Sequence, residues 1–148
     1  MASRTLLNTA VPEAYQTLLT LNDQVEKAAA EAGIDDLTME LLKIRTSQIN
    51  GCAFCLRMHT RDALDKGEST DRLAVLPAWR ESKYFSAAEQ AALAIAEEIA
   101  LIGNPTAARA AADPDPLTSQ QAAILRWAAI VINAFNRIAI SSHYVVKP

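Results

Sequence analysis

Glycine is scarce in this chain, 4 among 148 residues, and charged side chains make up only 21%. With half of the residues apolar and alanine abundant, that shortage is the balance of packed helices and excludes a disordered chain. Cysteine is limited to 2 residues, yet a chain of this length buries a sizeable core without disulfides or metals. An excess of positive charge is also missing. Lys and Arg number 14 against 17 Asp and Glu, scattered along the chain, which argues against a nucleic-acid partner. Met1 to Ala10 lack the continuous apolar stretch of a signal peptide, and no later apolar run reads as long enough to cross a bilayer. The expectation is a cytoplasmic protein of one domain, residues 1–148, with no membrane partner.

What is present divides into helices. Pro12 suits a first helical turn, and Ala14, Leu18, Leu21, Val25 and Ala28 follow at spacings of three and four until Gly33. Asp35 and Asp36 cap a second helix striped by Leu37, Leu41, Ile44 and Ile49, with Asn50-Gly51 as its exit. A third helix runs from Cys52 to Lys66 and stops at Gly67; a short one covers Thr70 to Leu76 and closes at Pro77. Residues 78–85, with Trp79 and Tyr84, read as a connector. Ser86-x-x-Glu89 and Thr118-x-x-Gln121 are capping boxes. The first opens a helix ending near Gly103; the second opens one so apolar from Ala122 to Ile140 that burial on most of its circumference is expected. Between them, the alanine-rich stretch after Asn104-Pro105 is a candidate for a further helix, and Asp113-Pro114-Asp115-Pro116 is the strongest loop signal.

The chemistry gathers at the third helix. In a cytoplasmic setting a C-x-x-C pair reads as redox-active or metal-binding before it reads as a structural disulfide. Cys52, Cys55 and His59 stand at i, i+3 and i+7, one face of a helix. The positive end of that helix, and a protonated His59, are expected to favour thiolate over thiol. A second thiol three residues away closes a reversible bridge before overoxidation. Glu40, across the Asn50-Gly51 turn, reaches the imidazole if the two helices pack antiparallel, orienting His59 and raising its basicity.

Glu40, Cys52, Cys55 and His59 match E-x11-C-x2-C-x3-H, and with Ser47 to Cys52 and Met58 to Ala63 the chain resembles alkylhydroperoxidase D of the carboxymuconolactone decarboxylase superfamily. The resemblance is strong over Glu40 to Gly67 and more general from Ser86 to Ile140. It implies an all-α fold, an orthogonal bundle of about six helices, assembled as a homotrimer or homohexamer. It implies peroxide reduction with Cys55 as the attacking thiolate, Cys52 as the resolving thiol, and His59 and Glu40 relaying the proton. The substrate is then a hydroperoxide, an external dithiol or disulfide reductase reopens the bridge, and no cofactor or metal is required. Phe54 departs from the pattern, standing where the best-studied branch has a second histidine. The related lactone decarboxylases generally lack the cysteine pair, which counts against decarboxylation.

Other readings of the same residues stay open. Both cysteines with His59 and His143 make a Cys2His2 zinc set by composition, although His143 lies at the far end of the last apolar helix. The thiols can equally be inert and buried, within a non-enzymatic oligomeric binding protein, or serve thiol–disulfide exchange without peroxide. Asn133, Asn136 and Arg137 interrupt an apolar helix and call for partners across a subunit contact or on a neighbouring helix.

Overall fold

A computed structural model of the chain describes residues 4–107, 109 and 112–148. Its elements are α1 (Leu7–Ala10), α2 (Pro12–Glu31), α3 (Asp36–Asn50), α4 (Ala53–Asp65), α5 (Thr70–Val75), a 3-10 helix (Leu76–Glu81), α6 (Ala87–Ala100) and α7 (Ser119–Ser141). No strand occurs among the described residues.

Local chemistry sets the boundaries. Both capping boxes form. Ser86 Oγ accepts from Glu89 N at 3.2 Å while Glu89 returns to Ser86 N at 2.7 Å, and Thr118 and Gln121 do the same at 3.1 and 3.0 Å. Gly51 ends α3 at φ 70°, a left-handed conformation that glycine adopts without a Cβ penalty, and two residues later α4 begins. That tight reversal lays α4 antiparallel against α3.

Three expectations are corrected here. Residues 76–81 are helical rather than plain connector, because Pro77 both closes α5 and supplies the preset φ of a new first turn. The candidate helix after Asn104-Pro105 is not formed at residues 104–107, where Asn104 Oδ1 instead takes the Thr106 amide at 3.0 Å in a side-chain turn. Residues 108, 110 and 111 of that stretch lie outside the described ones. Finally, α7 has the length and hydropathy of a membrane span, which the sequence reading denied to every run. Half of its most apolar stretch is buried in the fold, and it carries Arg126 and Arg137.

α7 is buried over most of its circumference, as expected, and α3 is enclosed more fully still. Met39 and Leu42 join an apolar cluster with α2, α6 and α7, whereas Leu41 and Ile44 join a second with α4, the 3-10 helix and α6. Burying side chains such as Leu41 and Leu42 contributes roughly 1.5–3 kcal/mol apiece. The large apolar side chains that α7 leaves exposed are Trp127, Ile130 and Ile140. A third small cluster, Cys52, Cys55 and Ala139 under Tyr144, joins α4 to the end of α7.

Candidate active site

The Gly51 reversal brings the four sequence-predicted residues into one place. Cys52 is the N-cap of α4, its sulfur accepting from the Cys55 amide at 3.4 Å, where Ser or Thr oxygen commonly serves. Cys55 follows in the first turn and His59 one turn on. From α3, Glu40 Oε2 meets His59 Nδ1 at 3.1 Å. Glu40 is 2% exposed, a carboxylate buried in the fold.

Glu40 is held as an anion by its neighbours. Burial pushes its carboxyl up, but the His59 hydrogen bond, the Lys43 charge and the Lys66 hydrogen bond bring it down to about 2. Lys66 Nζ donates to Glu40 Oε1 at 2.8 Å; Lys43 Nζ lies 3.9 Å from the same oxygen and also pairs with Glu26. With Glu40 ionised, the His59 proton belongs on Nδ1, and Nε2 is left as a base.

Cys55 departs from expectation. Helix polarity and His59 were expected to favour the thiolate, yet burial, and then the hydrogen bond with Cys52, push the Cys55 thiol up to about 12. Cys52 and Cys55 are 1% and 2% exposed, and desolvation outweighs the helix end.

Cys55 and His59 line one cavity of about 280 Å³. Its other walls are mainly apolar, with Leu19, Phe54, Met58, Ile132 and Phe135 among them, and Lys43 and Asn22 supply polar groups. The space suits the carbon skeleton of a small organic molecule.

Behind the pair lies an amide network that sequence reasoning noticed without placing. Asn50 Nδ2 donates to Asn133 Oδ1 at 2.8 Å and Asn136 Oδ1 at 3.0 Å, and Asn136 Nδ2 donates to Ser47 Oγ at 3.0 Å. Asn136, fully buried, also lowers Cys55 by a hydrogen bond, though less than burial raises it. The signal for this network was the pair of asparagines inside an apolar helix, partnered within the chain. Lys43 and Lys66 gave no such signal beyond a spacing of i+3 from Glu40 to Lys43.

The Cys2His2 set is not gathered as a metal site. Among the described residues, the group of three ligand-type side chains with atoms within 4.8 Å of one another is Glu40, His59 and Asp62, without cysteine. Lys66 on Glu40 already neutralises the carboxylate such an ion needs. His143 is exposed at the edge of a separate space that Cys52 lines.

Residues 12–98 match the carboxymuconolactone decarboxylase family. The uncharacterised protein YdfG of Bacillus subtilis is 41% identical over 102 residues, 69% of this chain and 67% of that one. The crystal structure of an Agrobacterium tumefaciens protein of unknown function, suggested to be the antioxidant defence protein AhpD, superposes with a TM-score of 0.82. It covers 99% of both chains at 26% identity.

Proposed function

The chain belongs to the carboxymuconolactone decarboxylase family, and from that premise we propose that it is a thiol peroxidase reducing organic hydroperoxides through a Cys52–Cys55 dithiol–disulfide cycle. The observation that carries the reading is the Glu40–His59 pair at 3.1 Å, with His59 and Cys55 on one largely apolar cavity. The antioxidant role suggested for the Agrobacterium tumefaciens protein is in keeping with it.

Because burial keeps Cys55 protonated, the nucleophile is made on demand. His59 Nε2 takes the thiol proton, and the Glu40 carboxylate stabilises the imidazolium through Nδ1–H. The Cys55 thiolate attacks the terminal oxygen of the hydroperoxide, the O–O bond breaks, and the alcohol leaves with the proton held by His59. Cys55 is then a sulfenic acid. Cys52 sulfur attacks it, water leaves, and the disulfide closes. An external dithiol or disulfide reductase returns the two electrons. Assembly as a homotrimer or homohexamer, through the apolar residues that α7 leaves exposed, and a cytoplasmic location belong to the same proposal.

The test adds one equivalent of cumene hydroperoxide to reduced protein and follows thiols and intact mass. Loss of two thiols and two mass units, with peroxide consumed, is expected. Thiols that persist sink the peroxidase, and favour the inert-pair reading to which the burial of both sulfurs points.

A further inference from the structure

Cys55 and Cys52 line different spaces. Cys55 belongs to the cavity it shares with His59, and Cys52 to a separate space of about 210 Å³ shared with Gly51 and His143. Phe54 and Tyr144, edge to face at 5.1 Å, contribute to both walls. Beside them runs a third groove of about 430 Å³, walled by Arg57, Met58, Arg61 and Asp62 on α4 and by Val145 and Val146. It shares Phe54 and Val145 with the Cys52 space, and Phe54 and Met58 with the Cys55 cavity.

The charge of this groove runs against that of the chain. The protein carries a net −3, yet among the described residues no carboxylate lies within 4.0 Å of Arg57 or Arg61. Arg57 spends one donor on a neutral acceptor, the Lys147 carbonyl, at 2.8 Å. Asp62, the acid in the groove, has an oxygen 3.9 Å from His59 Nδ1. Two arginines without carboxylate partners thus flank Phe54 and Met58, both exposed, next to a dithiol that is largely buried but lines the two neighbouring spaces. A reagent returning electrons through the Cys52 space meets this groove at the wall they share, Phe54 and Val145.

We propose that the Arg57–Arg61 groove is the docking surface for the reducing partner, a dithiol protein whose reactive cysteines are ringed by acidic side chains. The arginines hold the acidic ring, and Phe54 and Met58 meet the apolar surface around the partner's thiols. The partner's thiolate attacks Cys52 Sγ from the space it lines, the Cys52–Cys55 bond breaks, and Cys55 leaves as a thiolate that takes up a proton. The partner's second thiol then attacks the mixed disulfide and releases Cys52. Two electrons pass to this protein and the partner departs as a disulfide. The inference rests on the dithiol cycle proposed above, not on which oxidant closes it.

The test oxidises the full chain with diamide and reduces it with one of two synthetic Cys-Gly-Pro-Cys peptides, flanked by glutamates or by lysines. The ratio of their rates in wild type against an Arg57→Glu/Arg61→Glu variant cancels the peptides' own reactivities. We expect the acidic peptide to be favoured about tenfold in wild type at low salt, with the preference lost at high salt and reversed in the variant. Dithiothreitol, uncharged, reduces both proteins at one rate. Arg61→Glu alone, at an exposed position without a carboxylate partner, moves the ratio in the same direction and guards against misfolding of the double variant. A ratio unchanged by either variant overturns the docking surface. Peroxide consumption with dithiothreitol is scored separately: charge selectivity without it leaves the docking surface standing and removes the peroxidase, whereas a pair that diamide cannot close removes both.

Discussion

Cys55 and Glu40 are equally short of water, yet one rests as a neutral thiol and the other as an anion, because only Glu40 has cations against it. Each difference has its own test. With Cys55 pushed up to about 12, iodoacetamide labelling of the reduced protein should climb about tenfold per pH unit from 7 to 9; a plateau in that range would contradict a buried thiol. Glu40 is held at about 2, below its ordinary 4.5, so its stabilisation is complete above pH 4.5 and is lost as pH falls toward 2. That shift is worth about 3 kcal/mol. Urea midpoints of wild type and Glu40→Gln should therefore differ at pH 7 and draw together only as pH falls to about 2. In turnover, the same variant leaves His59 without its stabilising charge and should lose on the order of 10²-fold in kcat.

Among the elements, the sequence exposed what depends on neighbours along the chain and hid what depends on neighbours in space. The two capping boxes, the Gly33, Gly51 and Gly67 stops and the placing of Cys55 and His59 on one wall are local, and all stand in the structure, while Cys52 becomes the extended N-cap of α4 and faces a separate space. That Glu40 meets His59 followed from one tight turn. The state of Cys55 did not, because helix polarity is read from sequence position while desolvation comes from Ala139 and Tyr144 at the other end of the chain. Composition did foretell the burial of most of the circumference of α7, whereas the still fuller enclosure of α3 depends on the helices that surround it. The Gly51 turn carries the largest local consequence. Gly51→Ala meets no atom, but it forces a Cβ into φ 70° and should cost about 1–2 kcal/mol by thermal unfolding. Because α4 starts from that turn, loss of peroxide turnover beyond the stability change is expected with it.

For the molecule as a whole, exposed Trp127, Ile130 and Ile140 on α7 mark the surface through which copies of the chain are proposed to associate. Sedimentation velocity should give a trimer or hexamer, and Trp127→Glu, at a residue 52% exposed, should shift it toward monomer with its helical spectrum intact. A wild-type monomer at all concentrations would end that proposal. α3 has a different consequence. It belongs to both large apolar clusters and also supplies Glu40, Lys43 and Ser47 to the site. Neither half of the molecule can melt and leave the Glu40–His59 pair standing. Heat should extinguish catalysis and helicity along one curve, and a truncation set, an Leu42→Ala series above all, at about 2–5 kcal/mol per deletion, should drag both together. Heat then offers such a protein no half-melted form in which the site outlives the core: the two are lost in one step.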